Sequence, residues 1–174
     1  MSDVPSWILD DPARYPLMPP LRGWPRTRNP ELLTAVVAQF QVETAERYRL
    51  RDVTGDGVSE SWCNLFAADV CDALGAPIPH RMLANQLHDW LLGPDGDALG
   101  WKPCTLIAAQ AFVSAGCPVL ASWRNIDGRP GHIAVLVPSP KPGLHCAQAG
   151  RSNHSCRPLV WGFGKLPFKL FHHL

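Results

Sequence analysis

The chain reads as an α+β domain. Apolar residues recur at three-to-four spacing from Leu32 to Val113, the period of amphipathic helices. Beyond Gly116 the pattern changes to short β-rich runs separated by Gly, Pro or Asn, the mark of an antiparallel meander. Helices followed by strands give an α+β fold. With 174 residues, 46% of them apolar, the chain is long enough to bury a core without metals or disulfides.

Several of the 18 prolines lie near the N-terminus, as in Pro16-Leu17-Met18-Pro19-Pro20. Residues 1–28 are therefore expected to form an extended arm, and 29–174 a single domain. Trp7, Tyr15 and Trp24 favour an arm wrapped on that domain, because disordered tails seldom carry so many aromatics. Asn29 suits an N-cap and Pro30 the first helical position, and the stripe Leu32, Leu33, Val36, Val37 and Phe40 predicts a helix to about Tyr48. Arg51-Asp52-Val53-Thr54-Gly55-Asp56-Gly57 reads as a polar turn. Ser61 can cap a second helix from Trp62 to Leu74, stopped by Gly75. A third helix is expected from about Arg81 to Leu92, and a fourth from Leu106 to Ala115 behind Thr105, ended by Gly116. The expected strands are 118–123, 132–137, 144–149, 158–161 and 169–173. No internal repeat is visible.

Charge excludes one class of partner. Sixteen basic residues against 15 acidic ones leave a net charge of +1 with no basic run, so a nucleic-acid partner is not expected. No apolar stretch approaches the roughly 20 residues that span a bilayer, so no membrane partner is expected either. Met1-Ser2-Asp3-Val4-Pro5 lacks the basic and apolar regions of a leader, which points to a chain made in the cytoplasm. Six cysteines are too sparse for a disulfide-built fold, and no C-x-x-C pair suggests zinc. Cys71, two helical turns after Cys63, reads as a small buried hydrophobe, while Cys146 and Cys156 flank a turn and are placed to pair under oxidising conditions.

Cys63 is the most informative residue. It falls in the first turn of the second helix, in Ser61-Trp62-Cys63-Asn64-Leu65-Phe66, where backbone N–H groups favour thiolate over thiol and lower the pKa from about 8.5. Gly131-His132-Ile133-Ala134-Val135 places an imidazole at the start of a later strand, where it can exchange a proton with the sulfur. The glycine before His132 is read as leaving room for substrate. A neutral imidazole needs a partner to fix its tautomer and ring. Gln148, on the strand expected beside that of His132, is the first candidate, and Asn153, in the following turn, is the alternative. The backbone N–H of Cys63 is the natural oxyanion donor, Asn64 holds the turn, and Trp62 and Trp90 are candidate substrate-lining residues. His80 and His88 are expected on solvated helix surface, and His172 and His173 at an exposed strand end.

The order of a helix-borne Trp62-Cys63-Asn64-Leu65-Phe66, a strand-borne Gly131-His132-Ile133-Ala134-Val135 and a polar residue on the next strand resembles the papain-like cysteine peptidases and amidases of the NlpC/P60 and CHAP type. The resemblance covers roughly residues 50–150. It implies helices packed on a small antiparallel sheet, and a cysteine hydrolase that cuts peptide or amide bonds of peptidoglycan by acyl transfer. It implies no cofactor. CHAP domains carry a calcium loop before the cysteine; here Asp52 and Asp56 alternate without the glutamate that closes an EF-hand-like loop, so a plain turn and no bound metal are expected. A compact domain of this kind fits an antibacterial effector, delivered by a specialised secretion machine into the target periplasm and countered by an immunity protein in its producer. The alternatives are an intracellular effector that deamidates or cleaves a protein, a phage lysis enzyme, and a binding module that has lost the chemistry.

Overall fold

The computed structural model describes residues 28–53 and 55–174. The expected arm, with Trp7, Tyr15 and Trp24, lies outside the described residues apart from Arg28. Helix α1 spans Pro30–Gln39, capped by Asn29, whose Oδ1 accepts from the Leu32 N–H at 2.7 Å. It stops well short of the expected Tyr48. Once Leu33, Val36, Val37 and Phe40 are buried, Gln41 adopts φ 45° and turns the chain, and Glu46–Tyr48 returns as a single 3-10 turn.

That turn delivers Arg47 and Tyr48 to helix α2, Cys63–Ala73, which is buried on nearly every side. A helix apolar all round belongs inside a core. Its one buried acid, Asp69, accepts from Arg47 Nε at 2.7 Å and Tyr48 Oη at 2.7 Å and meets His80 Nε2 at 3.1 Å. Burial alone would raise the Asp69 pKa, but His80, Arg47 and Tyr48 hold it below the ordinary carboxylate value. Removing one partner from such a buried charge costs about 3–5 kcal/mol. His80, half-buried, is therefore a partner of Asp69 rather than a free residue on a helix surface. Gly75, at φ 69°, ends α2 in a left-handed cap, with Ala76 N–H donating to Cys71 O at 2.9 Å.

Helix α3 spans Ala84–Leu92, later than expected, because Gln86 Oε1 accepts from the Leu83 N–H at 2.7 Å and sets its start. His88 is buried against the sheet, 3.1 Å from Ser122 Oγ, which corrects its expected exposure. A short helix α4, Pro94–Ala98, and strand β1, Trp101–Cys104, follow; neither was expected. Helix α5, Leu106–Ser114, is capped by Thr105 as expected. The remaining elements are β2 (Val119–Trp123), β3 (His132–Val137), β4 (His145–Gln148), β5 (His154–Pro158), helix α6 (Leu159–Phe163) and β6 (Lys169–His173).

The six strands form one antiparallel sheet in the order β1-β6-β2-β3-β4-β5. The expected meander holds for β2 to β5, while β6 crosses back to lie between β2 and β1. The strand expected at 158–161 is instead helical: Leu159 and Phe163, four apart, both turn inward. The true edge strand β5 exposes Ser155, Cys156 and Arg157, and its polar composition hid it.

The sheet separates two cores. Ile133, Val135, Val137 and Ala147 pack under α1 and α2, whereas Ala134, Leu136, Cys146 and Phe163 pack under α5 and α6. Alternation along β3 and β4 sorts them. All six cysteines are free. Cys146 lies in the second core, while Cys156 lies beside Val37 and Ala38 of α1, so the two stand on opposite faces and their expected pairing is not made. His172 stacks on Phe112 with ring centroids 3.9 Å apart, and His173 Nε2 lies 2.9 Å from Leu99 O, so both are packed rather than left at an exposed end.

Candidate active site

The N-terminus of α2 and the start of β3 meet at one end of the sheet. Cys63 is the first residue of α2; its N-cap is Trp62, not Ser61, and no side chain caps the helix. The first-turn N–H groups are thus left to serve the sulfur. Burial pushes the Cys63 thiol up, but a hydrogen bond from His132, its charge, and the backbone N–H groups of Ile133 and Asn64 more than reverse this, so the pKa is lowered. Burial would conversely drive the His132 imidazolium to lose its proton, yet its contacts with Cys63 and Gln148 raise its pKa. Both shifts favour a thiolate facing an imidazolium.

Gln148 Oε1 lies 2.6 Å from His132 Nε2. Accepting from that nitrogen leaves Nδ1 as the ring atom for the sulfur. In the β3–β4 register Val135 opposes Ala147 and Leu136 opposes Cys146, so Gln148 emerges level with the start of β3 and on the same face as His132. Asn153 is used elsewhere. Its Nδ2 donates to Val42 O and Tyr48 O, each at 2.9 Å, and its Oδ1 accepts from Gly150 N–H at 3.0 Å. It ties three segments together and does not orient the ring.

Three residues around this pair escaped the sequence reading. Phe163 lies against the His132 ring, centroids 4.9 Å apart. Gly162 brings the α6 backbone so close that a Cβ there would stand 2.4 Å from Gln148 Oε1. Gly150 closes the other side, where a Cβ would meet Gln148 Nε2 at 3.1 Å and His132 Cε1 at 3.6 Å. Backbone at Gly162 and Gly150 thus packs against the Gln148 amide and the His132 ring. An isolated glycine inside Leu159-Val160-Trp161-Gly162-Phe163 was the available signal, since such a glycine marks close backbone approach. Trp123, opposite His132 in the β2–β3 register and half-buried, is a further aromatic neighbour.

The two tryptophans expected to line a cleft have other positions. Trp62 is buried, and its indole N–H donates to Arg49 O at 2.9 Å, so it braces the helix start. Trp90 is half-buried on the first core, at the end of α3 that meets α4, with Gly96 packed on its carbonyl. Gly131 does not open space for substrate either: Asn85 Oδ1 and Trp123 O fill the position of its missing Cβ, 2.3 and 2.4 Å away. Contrary to expectation, Asn64 does not hold its own turn but reaches another segment, its Nδ2 donating to Met82 O at 3.0 Å.

The polar turn brings together more acid than expected. The bridge Arg51–Glu60 folds Glu60 back, so that the carboxylates of Asp52, Asp56 and Glu60 lie within 4.8 Å of one another. A cation would meet these three groups. Their oxygens already accept from Gly55, Gly57, Val58 and Val53 N–H groups within the loop.

No family model matches this chain, and no curated protein matches it. No helix among the described residues is long and apolar enough to cross a membrane.

Proposed function

We propose that this protein is a cysteine hydrolase of papain-like fold, of the NlpC/P60 and CHAP type, that cleaves peptide or amide bonds in peptidoglycan. The observation that carries the reading is the Cys63–His132–Gln148 arrangement: a thiol at an uncapped helix start, its pKa lowered by the neighbouring His132 imidazole, whose Nε2 meets an amide oxygen at 2.6 Å. A nucleophile, a base and an orienter in series are what acyl transfer by a thiol requires.

In the first step the Cys63 thiolate attacks the substrate carbonyl carbon, and the oxygen gains negative charge facing the Cys63 N–H at the positive end of α2. His132 then gives its proton to the leaving amine as the C–N bond breaks, leaving a thioester on Cys63. Water attacks that thioester while His132 takes its proton; the C–S bond breaks, and the thiolate and imidazolium are restored. Gln148 keeps the ring aligned through both halves. The reading places this chemistry on the 29–174 domain and assigns it no cofactor. The biological setting that fits is an antibacterial effector delivered to a target periplasm and held in check by an immunity protein.

The test is digestion of purified sacculi, with mass spectrometry of the released fragments to identify the bond cut. Wild-type protein is expected to release fragments, and Cys63→Ala to release none while melting at an unchanged temperature. Intact sacculi with a modified protein target would favour the intracellular effector instead, and release by Cys63→Ala would overturn the mechanism.

A further inference from the structure

Cys63 and His132 are brought together from distant parts of the chain, and neither the helix start nor the hairpin before His132 is fixed by its own sequence alone. Each is tied by an asparagine immediately beside the reacting group or its hairpin. Asn64, next to Cys63 and buried, donates to Met82 O at 3.0 Å. Asn85, three residues beyond Met82 and also buried, clamps both limbs of the β2–β3 connection. Its Oδ1 accepts from Asn125 N–H at 2.9 Å, and its Nδ2 donates to Arg129 O at 2.9 Å. Between them, Leu83 N–H is held by Gln86 Oε1, so the 82–85 turn is itself pinned at the start of α3.

The contact is close. Gly131, the residue before His132, passes so near Asn85 that any side chain there would meet Asn85 Oδ1 at 2.3 Å. Buried amides that satisfy carbonyl and N–H groups of two loops at once are rigid links, because leaving those groups unpaired costs about 1–3 kcal/mol each. The connection from Arg124 to Pro130 is otherwise largely exposed, with Ile126 84% accessible, so packing does little to fix it.

We propose that Asn64 and Asn85 are positioning residues that form one brace, through the 82–85 turn, holding the Cys63 helix start and the His132 hairpin at a set separation. The inference rests on the Cys–His reading of the site. The brace works by geometry: its side-chain amides bond away from the reacting atoms, but a sub-ångström change in sulfur–imidazole separation weakens the contact that lowers the thiol pKa. The charge acting on Cys63 comes from His132, and His154 lies within range of His132 in turn.

The experiment needs no substrate. The rate of Cys63 alkylation by iodoacetamide is followed against pH by peptide mapping in wild type, Asn85→Ala, Asn64→Ala and the double variant. Tyr48→Phe, which removes a buried bond to Asp69, serves as the control for lost stability alone. Both single variants are expected to move the alkylation midpoint toward that of an ordinary thiol, lowering the rate at pH 6 about tenfold, one pK unit. The double variant should shift no further than the larger single one, because members of one network are not additive. Tyr48→Phe should melt earlier without moving the midpoint. Should Asn85→Ala fail to fold, Asn64→Ala reads the same brace from its other end. Folded single variants with the wild-type midpoint would overturn the brace, as would fully additive shifts. A wild-type midpoint at the ordinary thiol value would instead overturn the Cys–His pair itself, and with it the need for a brace.

Discussion

Two cysteines in this protein stand beside a histidine, and only one has the surroundings of a nucleophile. Cys63 begins a helix and neighbours His132, whose hydrogen bonding and charge, with the backbone of Ile133 and Asn64, lower its pKa against burial, while that of His132 is raised. Cys146 sits in the middle of β4, its Sγ 3.9 Å from His154 Nε2, in the core beneath α5 and α6. There burial, with Cys156 adding to it, pushes the thiol up to about 12, and burial lowers the pKa of His154. The pair is thus held neutral. A neighbouring imidazole does not make a thiolate; helix-end amides and an orienting acceptor on the far ring nitrogen do. Cys146 lies within a strand and starts no helix, so no free first-turn N–H groups of its own face its sulfur.

The contrast can be broken most directly by labelling. At pH 7 a thiol with a pKa of about 12 is ionised in only about one molecule in 10⁵, so Cys146 should stay unlabelled by iodoacetamide until the protein is denatured. Cys63 should label faster than any other cysteine. Equal rates at the two sites would show that the surroundings of Cys63 do not activate it.

Substitution at the two sites should separate chemistry from packing. Gln148→Ala is expected to cut kcat about ten- to a thousandfold with KM little changed, because ring alignment matters most in the transition state. His154→Gln should leave kcat within about threefold and act on stability instead, since Cys146 needs no proton partner. A loss of kcat at His154 equal to that at Gln148 would place the second pair in the reaction. Asn153→Ala should cost less than tenfold in kcat but about 1–3 kcal/mol in a melting experiment, for it leaves Val42 O, Tyr48 O and Gly150 N–H without their partner.

The pH profile sharpens the same point with the smallest effect. With the Cys63 pKa lowered, the thiolate is present above that value and lost as pH falls through it. With the His132 pKa raised, the imidazolium is present below its value and lost as pH rises through it. A bell in kcat/KM should follow, its acidic limb below the ordinary thiol value and its alkaline limb above the ordinary histidine value near 6.5. Gln148→Ala should draw the alkaline limb downward, because the Gln148 contact helps hold the proton on His132. An alkaline limb unmoved by that substitution would remove Gln148 from the site.

What was legible in the sequence is what short-range chemistry dictates. Period reveals α1, α2 and α5. The Asn29 and Thr105 caps mark the starts of α1 and α5, and Gly75 and Gly116 the stops of α2 and α5, because N–H capping and left-handed glycine stops are settled within a few residues. The expected Ser61 cap and the expected Tyr48 end of α1 are misplaced. The placement of Cys63 at a helix start and of His132 at a strand start is local in the same sense, as is the α+β order. The tertiary structure alone decided between Gln148 and Asn153, since that choice depends on the β3–β4 register and on where Val42 and Tyr48 come to rest. It alone put β6 between β1 and β2, turned 159–163 into a helix over the His132–Gln148 bond, and joined Asn64 and Asn85 across the 82–85 turn. Each of these rests on contacts between residues far apart in the chain, whose geometry no local propensity encodes.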